Sequence, residues 1–598
     1  MSILDKSSLV MIPSGYKEDK LYSVKPRNGD GDFTFTRAST GTRVNADGYI
    51  EEVPWNKAQY SQDFANAYWS KQCDINSDTQ TSPIGSNDAD EIVETTTQTY
   101  QYWYKLISLN VGVEQTFSVY VKYIDCQYFQ LTAYNGAVYG SANFDLINKT
   151  YNTAASSGSY EVVSANIEEL DNDWMRVSMT FKSLSSTSPY IALCMDNNSS
   201  AGYVPYYTGT GLKTAIWGFQ WNAGTIKPYI KTTDRLDIPR LDYSGGSTNP
   251  TLLLEGQSTN LVTYSEQLDN AWWTKVNATI NSNDIVSPDG TQNADALVDD
   301  TTYGVHRVNT SNINIVSGNS YSFSGFVKSG SVDFLHISPS GGQFSSDNTT
   351  VINMSNGTLV SKEHTGPVSI INYNNGWYRF EVTLTAISSS LYSKQYFNPS
   401  LSSTSPIYTG TNEISCYMWG LQVEQGNLTS YIPTSGTSVT RVADVCEDAG
   451  DATIFNDAEG VLFAEIAALA DDQTSRTITI DGDGTNENRV IIQYQPSVSN
   501  QIRALLKNND NSSVELTYVL SDITDYAKIA FKYKSGDLAL WINGVEIDTS
   551  TDAIFLSNLK ELSFDNGRGS SNFYGKVKQL IYFDQALTDD ELEELTTI

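Results

Sequence analysis

The chain runs to 598 residues, enough for about three to five domains with cores of their own. Its 69 acidic and 37 basic side chains give a formal charge of −32, which repels nucleic-acid phosphates and argues against a nucleic-acid partner. It also leaves carboxylates available for Ca²⁺. Charged residues make up only 18 %, and Tyr, Ser, Thr, Asn and Gly are abundant, a vocabulary of strands and polar turns.

Residues 1–53 carry short β-like runs, Leu9-Val10-Met11-Ile12 and Phe33-Thr34-Phe35-Thr36. Arg37-Ala38-Ser39-Thr40-Gly41-Thr42-Arg43-Val44 follows, and Asp47-Gly48 before Tyr49-Ile50-Glu51-Glu52-Val53 signals a hairpin turn. The segment is short for a domain. Its expected completion lies at 235–262, through Ile238-Pro239-Arg240-Leu241-Asp242-Tyr243 and Leu252-Leu253-Leu254-Glu255 to Asn260-Leu261.

Between these halves, 54–234 spells a module that 263–444 repeats. Asn66-Ala67-Tyr68-Trp69 returns as Asn270-Ala271-Trp272-Trp273, and Phe117-Ser118-Val119-Tyr120-Val121-Lys122 as Phe323-Ser324-Gly325-Phe326-Val327-Lys328. Asp173-Trp174-Met175-Arg176 returns as Gly376-Trp377-Tyr378-Arg379, and Trp217-Gly218-Phe219-Gln220 as Trp419-Gly420-Leu421-Gln422. The copies lie roughly 200 residues apart, far beyond the ~20–50-residue period of a solenoid, so they are tandem globular modules. Brief β-branched and aromatic runs between polar turns predict sandwiches.

From 445 onward the pattern changes. Val461–Ile466, Lys528–Tyr533, Leu538–Ile542 and Val545–Ile547, joined by Ser535-Gly536-Asp537 and Asn543-Gly544, predict an antiparallel meander. The terminus predicts one helix. Thr588 would cap it with Glu591 completing a capping box, Leu587 and Leu592 would staple it, and Leu592, Leu595 and Ile598 form its apolar stripe.

The Arg37–Glu51 run, with Pro239–Tyr243 and Leu252–Leu261, resembles a signature of bacteriophage virion proteins of the fibre and appendage type, here split by a whole module. The stretch from Asn270 resembles carbohydrate-binding-module jelly rolls. Residues 445–598 are similar to concanavalin A-like (laminin G-like) lectin domains, with Phe573–Phe583 and Ala586–Leu592 matching the closing strand and helix. The expected fold class is therefore all-β: tandem jelly-roll sandwiches, a concanavalin A-like sandwich and a small N-terminal β element. The resemblance implies a virion protein made in the host cytoplasm. It would dock on other virion proteins through its N-terminal segment and bind cell-surface glycans. A homo-oligomer is expected, with a trimer favoured.

Sugar recognition needs flat aromatic faces and nearby hydrogen-bonding groups. Tyr102, Trp103 and Tyr104 supply aromatics in the first copy, with strand alternation placing Tyr102 and Tyr104 on one face and Trp103 on the other. His306 and Arg307 occupy the corresponding stretch of the second copy. The tryptophans present in both copies are expected in the cores. Candidate Ca²⁺ ligands are Asp90 and Asp295, at matching positions in the repeats, and Asp481 and Asp483 in a loop that lacks the Glu of an EF-hand. Cys73, Cys126, Cys194, Cys416 and Cys446 have no disulfide spacing and are expected as buried thiols. The sequence carries no nucleophile elbow, zinc-binding helix motif or phosphate-cradling loop, so no enzyme is expected. No signal peptide or membrane insertion is expected either. Two alternatives stand beside the glycan-binding reading: a capsid or tail decoration protein, and a polysaccharide depolymerase, which would need a carboxylate pair.

Overall fold

The computed structural model describes residues 3–597 except 108, 110–112, 157, 185–187, 235, 340–342, 345–347, 374, 483, 485–486 and 511, and only the backbone of Leu391 and Tyr392. Ile598, the last residue of the expected helical stripe, lies outside the described residues. The described residues form 51 strands and a single α-helix. The chain is all-β. It divides into two compact units, one made of 1–53 with 237–598 and the other of 54–236.

The unit 54–236 is a sandwich of two six-stranded antiparallel sheets. One sheet runs Thr150–Ala155, Val138–Asp145, Tyr128–Asn135, Tyr190–Asp196, Tyr102–Leu106, Ser70–Lys71. The other runs Tyr160–Glu169, Trp174–Ser183, Glu114–Tyr123, Lys213–Ala223, Ala89–Val93, Asp74–Gln80. Trp69, Trp103, Phe117, Phe129, Phe144, Phe181 and Phe219 fill the space between them. The second copy repeats this strand order in both of its six-stranded sheets, around Trp273, Phe323, Phe380 and Phe397.

The repeated sequence anchors have local physical causes. Trp69 and Trp273 are buried and donate their indole N–H to the carbonyls of Tyr60 and Tyr264. Trp174 and Trp377 do the same to Thr81 and Val286. The Trp-Gly pairs mark a bulge, since the strand register shifts between Ser118 and Tyr120 in one copy and between Ser324 and Phe326 in the other. Gly218 and Gly420 sit there at φ 62° and 61°, and a Cβ at either would meet the Tyr120 or Phe326 ring at 3.0 Å.

In the larger unit, the third sandwich packs a five-stranded sheet, with Arg476–Asp481 and Arg489–Tyr494 inside it, against an eight-stranded sheet. The meander Ala527–Lys534, Leu538–Ile542, Val545–Ser550 lies in the eight-stranded sheet, with Asn543 and Gly544 at φ 51° and 80° in its last turn. The helix Asp589–Thr596 has both arms of its capping box, and Leu587 and Leu592 are buried. Three strands of the eight-stranded sheet come from far upstream. Leu9–Met11 pairs with Tyr582–Leu580 on the closing strand Gly575–Phe583, and Thr251–Leu254 pairs with the same strand and with Arg240–Asp242. The downstream signature segment therefore extends the last sandwich, and it touches the Arg37–Glu51 segment through the Tyr243 N–H donating to the Val44 carbonyl.

Beneath them lies a buried ionic cluster of Arg37, Arg240, Arg441, Glu255 and Asp444, each 2 % exposed or less. Arg37 Nη1 pairs with Asp444 Oδ1 at 2.8 Å, and Arg240 pairs with the other Asp444 oxygen. Arg240 and Arg441 both pair with Glu255 Oε2, at 2.5 and 2.8 Å. Further donors go to carbonyls, Arg37 Nη2 to Val53 and Ile238 and Arg441 Nη2 to Gly256, and to the Ser430 hydroxyl, while Nε of Arg240 and of Arg441 has no partner among the described residues. Gly41 fits between two of the guanidinium stems, where a Cβ would lie 3.2 Å from Cδ of both Arg240 and Arg441.

The cluster sets three guanidinium groups against two carboxylates, so removing a carboxylate leaves uncompensated buried charge, which costs about 3–5 kcal/mol. Asp444→Asn is expected to lower the calorimetric unfolding midpoint of the full chain by that free energy. The arginines also hold Glu255 and Asp444 below the ordinary carboxylate range against the opposing pull of burial. Their contribution is present in full above about pH 4 and is lost as the pH falls toward the depressed folded values. Acid titration of the Asp444→Asn chain, which keeps only one of the two depressed carboxylates, should therefore show less stability lost below about pH 4 than in the parent.

Candidate ligand-binding face of the first module

In the first module, alternation along Tyr102–Leu106 sends Trp103 inward and Tyr102 and Tyr104 outward. Trp103 is fully buried in the sandwich core and presents no face to solvent. Tyr102 and Tyr104, with ring centroids 4.7 Å apart, belong to a cluster on the opposite side of the sheet. Tyr134 and Tyr190 stack at 5.4 Å, Tyr104 lies 5.6 Å from Tyr190, and Tyr100 lies 4.9 Å from Tyr206. Tyr203 joins Tyr100, Tyr134 and Tyr139 by edge contacts. Tyr206 is 56 % exposed, and Tyr100, Tyr104, Tyr139, Tyr190 and Tyr203 are half-buried. The hydroxyls of Tyr100, Tyr104, Tyr190, Tyr203 and Tyr206 have no hydrogen-bond partner among the described residues.

The same face continues as a polar row. Gln130 and Thr132 on one strand, and Ser141 and Asn143 on its neighbour, alternate with core residues and are all buried. Thr132 donates to Gln130 at 2.5 Å, and Asn143 Nδ2 donates to Asp196 and to the carbonyls of Asn198 and Ser200. Ser141 Oγ and Asn143 Oδ1 have no partner among the described residues. The segment 197–205, between Tyr190–Asp196 and Tyr206–Thr208, packs over this row with Val204 buried. Burial raises the Asp196 carboxyl to about 6.

The second module carries different groups on the same sheet. Trp103 pairs through Leu193 with Leu131, and Val308 pairs through Phe397 with Ile337. This register puts Arg307 where the first module has Tyr102, and Tyr396 where it has Ala192. The Arg307 guanidinium lies 4.4 Å from the Tyr396 ring centroid. His306 is fully buried, with Nδ1 2.7 Å from the Asn277 carbonyl and Nε2 3.3 Å from that of Tyr408. It is a core group.

The acidic candidates brace backbone. Asp90 accepts from the N–H groups of Phe64 and Asp78, and Asp295 from those of Leu268 and Asn283. In both, each oxygen takes one N–H, which anchors the loops. Glu94 and Asp299 act likewise, taking loop amides and the hydroxyls of Tyr207 and Tyr408. Asp481 is buried with neither oxygen partnered among the described residues, and burial followed by the nearby Glu561 raises it to about 8. Asp483 lies outside the described residues. Among the described residues no group of three or more His, Cys, Asp or Glu is arranged to hold a metal. The five cysteines are buried free thiols.

The sequence pointed to Tyr102 and Tyr104 but missed Tyr134, Tyr139, Tyr190, Tyr203 and Tyr206. Their signal was the concentration of tyrosine at 100–104, 134–139 and 190–206, which becomes one surface only through the strand order.

No family model matches the chain, and no curated protein does. Among solved structures, it is similar to the Ruminococcus gnavus IT-sialidase CBM40 bound to alpha2,3 sialyllactose, at 16 % identity over 25 % of this chain and 94 % of that one, TM-score 0.22. It is also similar to mouse laminin alpha1 domains LG4-5, at 9 % identity over 48 % and 91 %, TM-score 0.17. A third is the Trypanosoma rangeli sialidase in complex with the inhibitor DANA, at 8 % over 88 % and 98 %, TM-score 0.20. Likenesses this distant bear no weight, and the sandwich assignment rests on the sheets themselves.

Burial raises Asp90 to about 6 and Asp295 to about 7, against the opposing pull of the amides that they accept. A raised folded value favours the folded state below the ordinary carboxylate range, and that advantage is lost as pH rises through the folded value. The unfolding midpoint should decline between about pH 4 and pH 7 for this reason. Asp295→Asn cannot ionise, so it should lower the midpoint overall yet flatten the decline; an unchanged slope in calorimetry would count against the assignment.

Proposed function

We propose that this chain is a non-enzymatic glycan-binding protein, carried on a phage particle as a fibre or appendage, whose first module holds saccharide on its tyrosine face. The observation that carries this reading is the half-buried to exposed set Tyr100, Tyr104, Tyr190, Tyr203 and Tyr206, seated on the buried Tyr102 and Tyr134. Such a surface offers ring faces for sugar C–H groups and unpartnered phenols for sugar hydroxyls. Tyrosine does this at low entropic cost, since each ring has only two rotatable bonds to fix. The formal charge of −32 suits a neutral glycan better than a carboxylate-bearing one. The virion placement rests on the resemblance of the signature segments, and the absence of catalysis rests on the motifs that the sequence lacks.

Glycan-array binding by the full chain should register neutral saccharides. Tyr104→Ala and Tyr206→Ala should each weaken binding roughly tenfold, equivalent to about 1.4 kcal/mol. Polysaccharide recovered after prolonged incubation should carry no new reducing ends. A silent array, or full binding by both tyrosine variants, would remove the proposal. New reducing ends would favour the depolymerase reading. Immunogold labelling of intact particles tests the virion placement separately.

A further inference from the structure

A second site stands apart from the tyrosine face, in the larger unit. The hairpin of Gly41–Val44 and Ile50–Val53 lies against the second module, with the Ile50 N–H donating to the Pro288 carbonyl at 2.9 Å. Ile50 is buried in an aromatic cluster with Phe326, Trp377, Trp419 and Tyr431. The Tyr49 ring rests on Gly290, where φ is 82° and a Cβ would come within 3.1 Å of the ring. Beside this contact a cavity of about 250 Å³ opens, lined by Asp47 and Tyr49 from the hairpin and by Lys328, Tyr373, Asn375 and Trp377 from the module.

The duplication supplies an internal control. In the first module Lys122, the counterpart of Lys328, donates to the Asn172 carbonyl at 2.8 Å. Asn172 and Asn375 match, both left-handed at φ 57° and 50°. Yet Lys328 makes no hydrogen bond or ion pair among the described residues, and neither does the Asp47 carboxylate. The second module has thus lost a structural lysine contact at the point where the hairpin adds an unpaired carboxylate and a tyrosine ring. The Trp377 indole N–H is already given to the Val286 carbonyl, so that ring serves as wall.

We propose that this cavity is a binding site for a single neutral sugar residue, presented as the end or a side branch of a glycan. Its volume falls just under the ~300–1,000 Å³ of pockets for drug-sized ligands, which fits a monosaccharide. Sugar hydroxyls both donate and accept, so one ligand satisfies Asp47 as acceptor and Lys328 as donor while its C–H groups meet Tyr49 and Tyr373. Opposed charges in one small site disfavour anions and cations alike.

The test uses the full chain carrying Tyr104→Ala and Tyr206→Ala, which silences the first module's face, and saturation-transfer NMR with methyl glycosides of neutral hexoses and N-acetylhexosamines. At least one should give a signal that falls at least fivefold with Lys328→Ala and with Asp47→Asn, and that persists with Lys122→Ala. Asp47→Asn lies at the exposed hairpin tip, and an unchanged thermal midpoint confirms that each variant is folded. The proposal is overturned if no neutral glycoside gives a signal, if the signal survives both pocket variants, or if only acidic sugars respond.

Discussion

The buried cluster of Arg37, Arg240, Arg441, Glu255 and Asp444 is the constraint on which the larger unit depends. Its five members come from three stretches of chain separated by hundreds of residues, so the charges can be satisfied only when all three meet. Arg37 bears most on topology. Its guanidinium donates to the carbonyls of Val53 and Ile238, the last residue before the inserted module and one of the first after it, while its N–H reaches the Asp237 carboxylate. One side chain thereby holds both ends of the insertion point. Loop-closure entropy grows only slowly with length, so a whole domain can occupy that loop once its ends are pinned. Apolar replacements of buried ion pairs are often as stable as the pairs themselves, so the cluster is better understood as fixing which segments meet than as a large net source of stability.

The same duplication separates what a fold requires from what a surface offers. The braces recur in both copies: Asp90 with Asp295, Trp174 with Trp377, Gly218 with Gly420. Each answers a local demand of the sandwich, such as an unpaired loop amide or a bulge that admits no Cβ. On the outer face of the first sheet the copies part company. Arg307 takes the place of Tyr102, Tyr396 that of Ala192, and the longer segment 197–205 corresponds to 401–406 in the second module. Side chains that carry the fold are constrained by neighbours on every side, whereas those on this face are constrained by strand alternation alone, leaving them open to different ligands.

Much of the architecture was legible from local pattern. The Asp47-Gly48 and Asn543-Gly544 turns, the Thr588 capping box and the outward Tyr102 beside an inward Trp103 all follow from chemistry within a few residues of each position. What stayed hidden depends on which strands become neighbours. Nothing near Leu9 or Thr251 says that both pair with the closing strand, and Arg37, Arg240 and Asp444 read as ordinary surface charges until the three segments converge. The bracing role of the matching carboxylates was hidden for a related reason. Asp90 and Asp295 accept backbone N–H groups 12 to 27 residues upstream, and sequence does not say which loop will fold back onto a carboxylate.

Two small sites on separate modules have a consequence that one large site would not. A shallow aromatic face and a cavity sized for one residue each predict weak, fast-exchanging contacts, because neither buries much ligand. Linked within one chain, the second contact forms at an effective concentration set by the geometry between sites, and overall affinity rises without any new interaction. Weakness of each site then becomes useful, since a surface held by many reversible contacts can be sampled and re-gripped, whereas one held by a single tight contact cannot. The strong negative charge acts in the same direction: it resists adhesion to acidic surfaces at long range and leaves short-range ring and hydroxyl contacts to decide what is held.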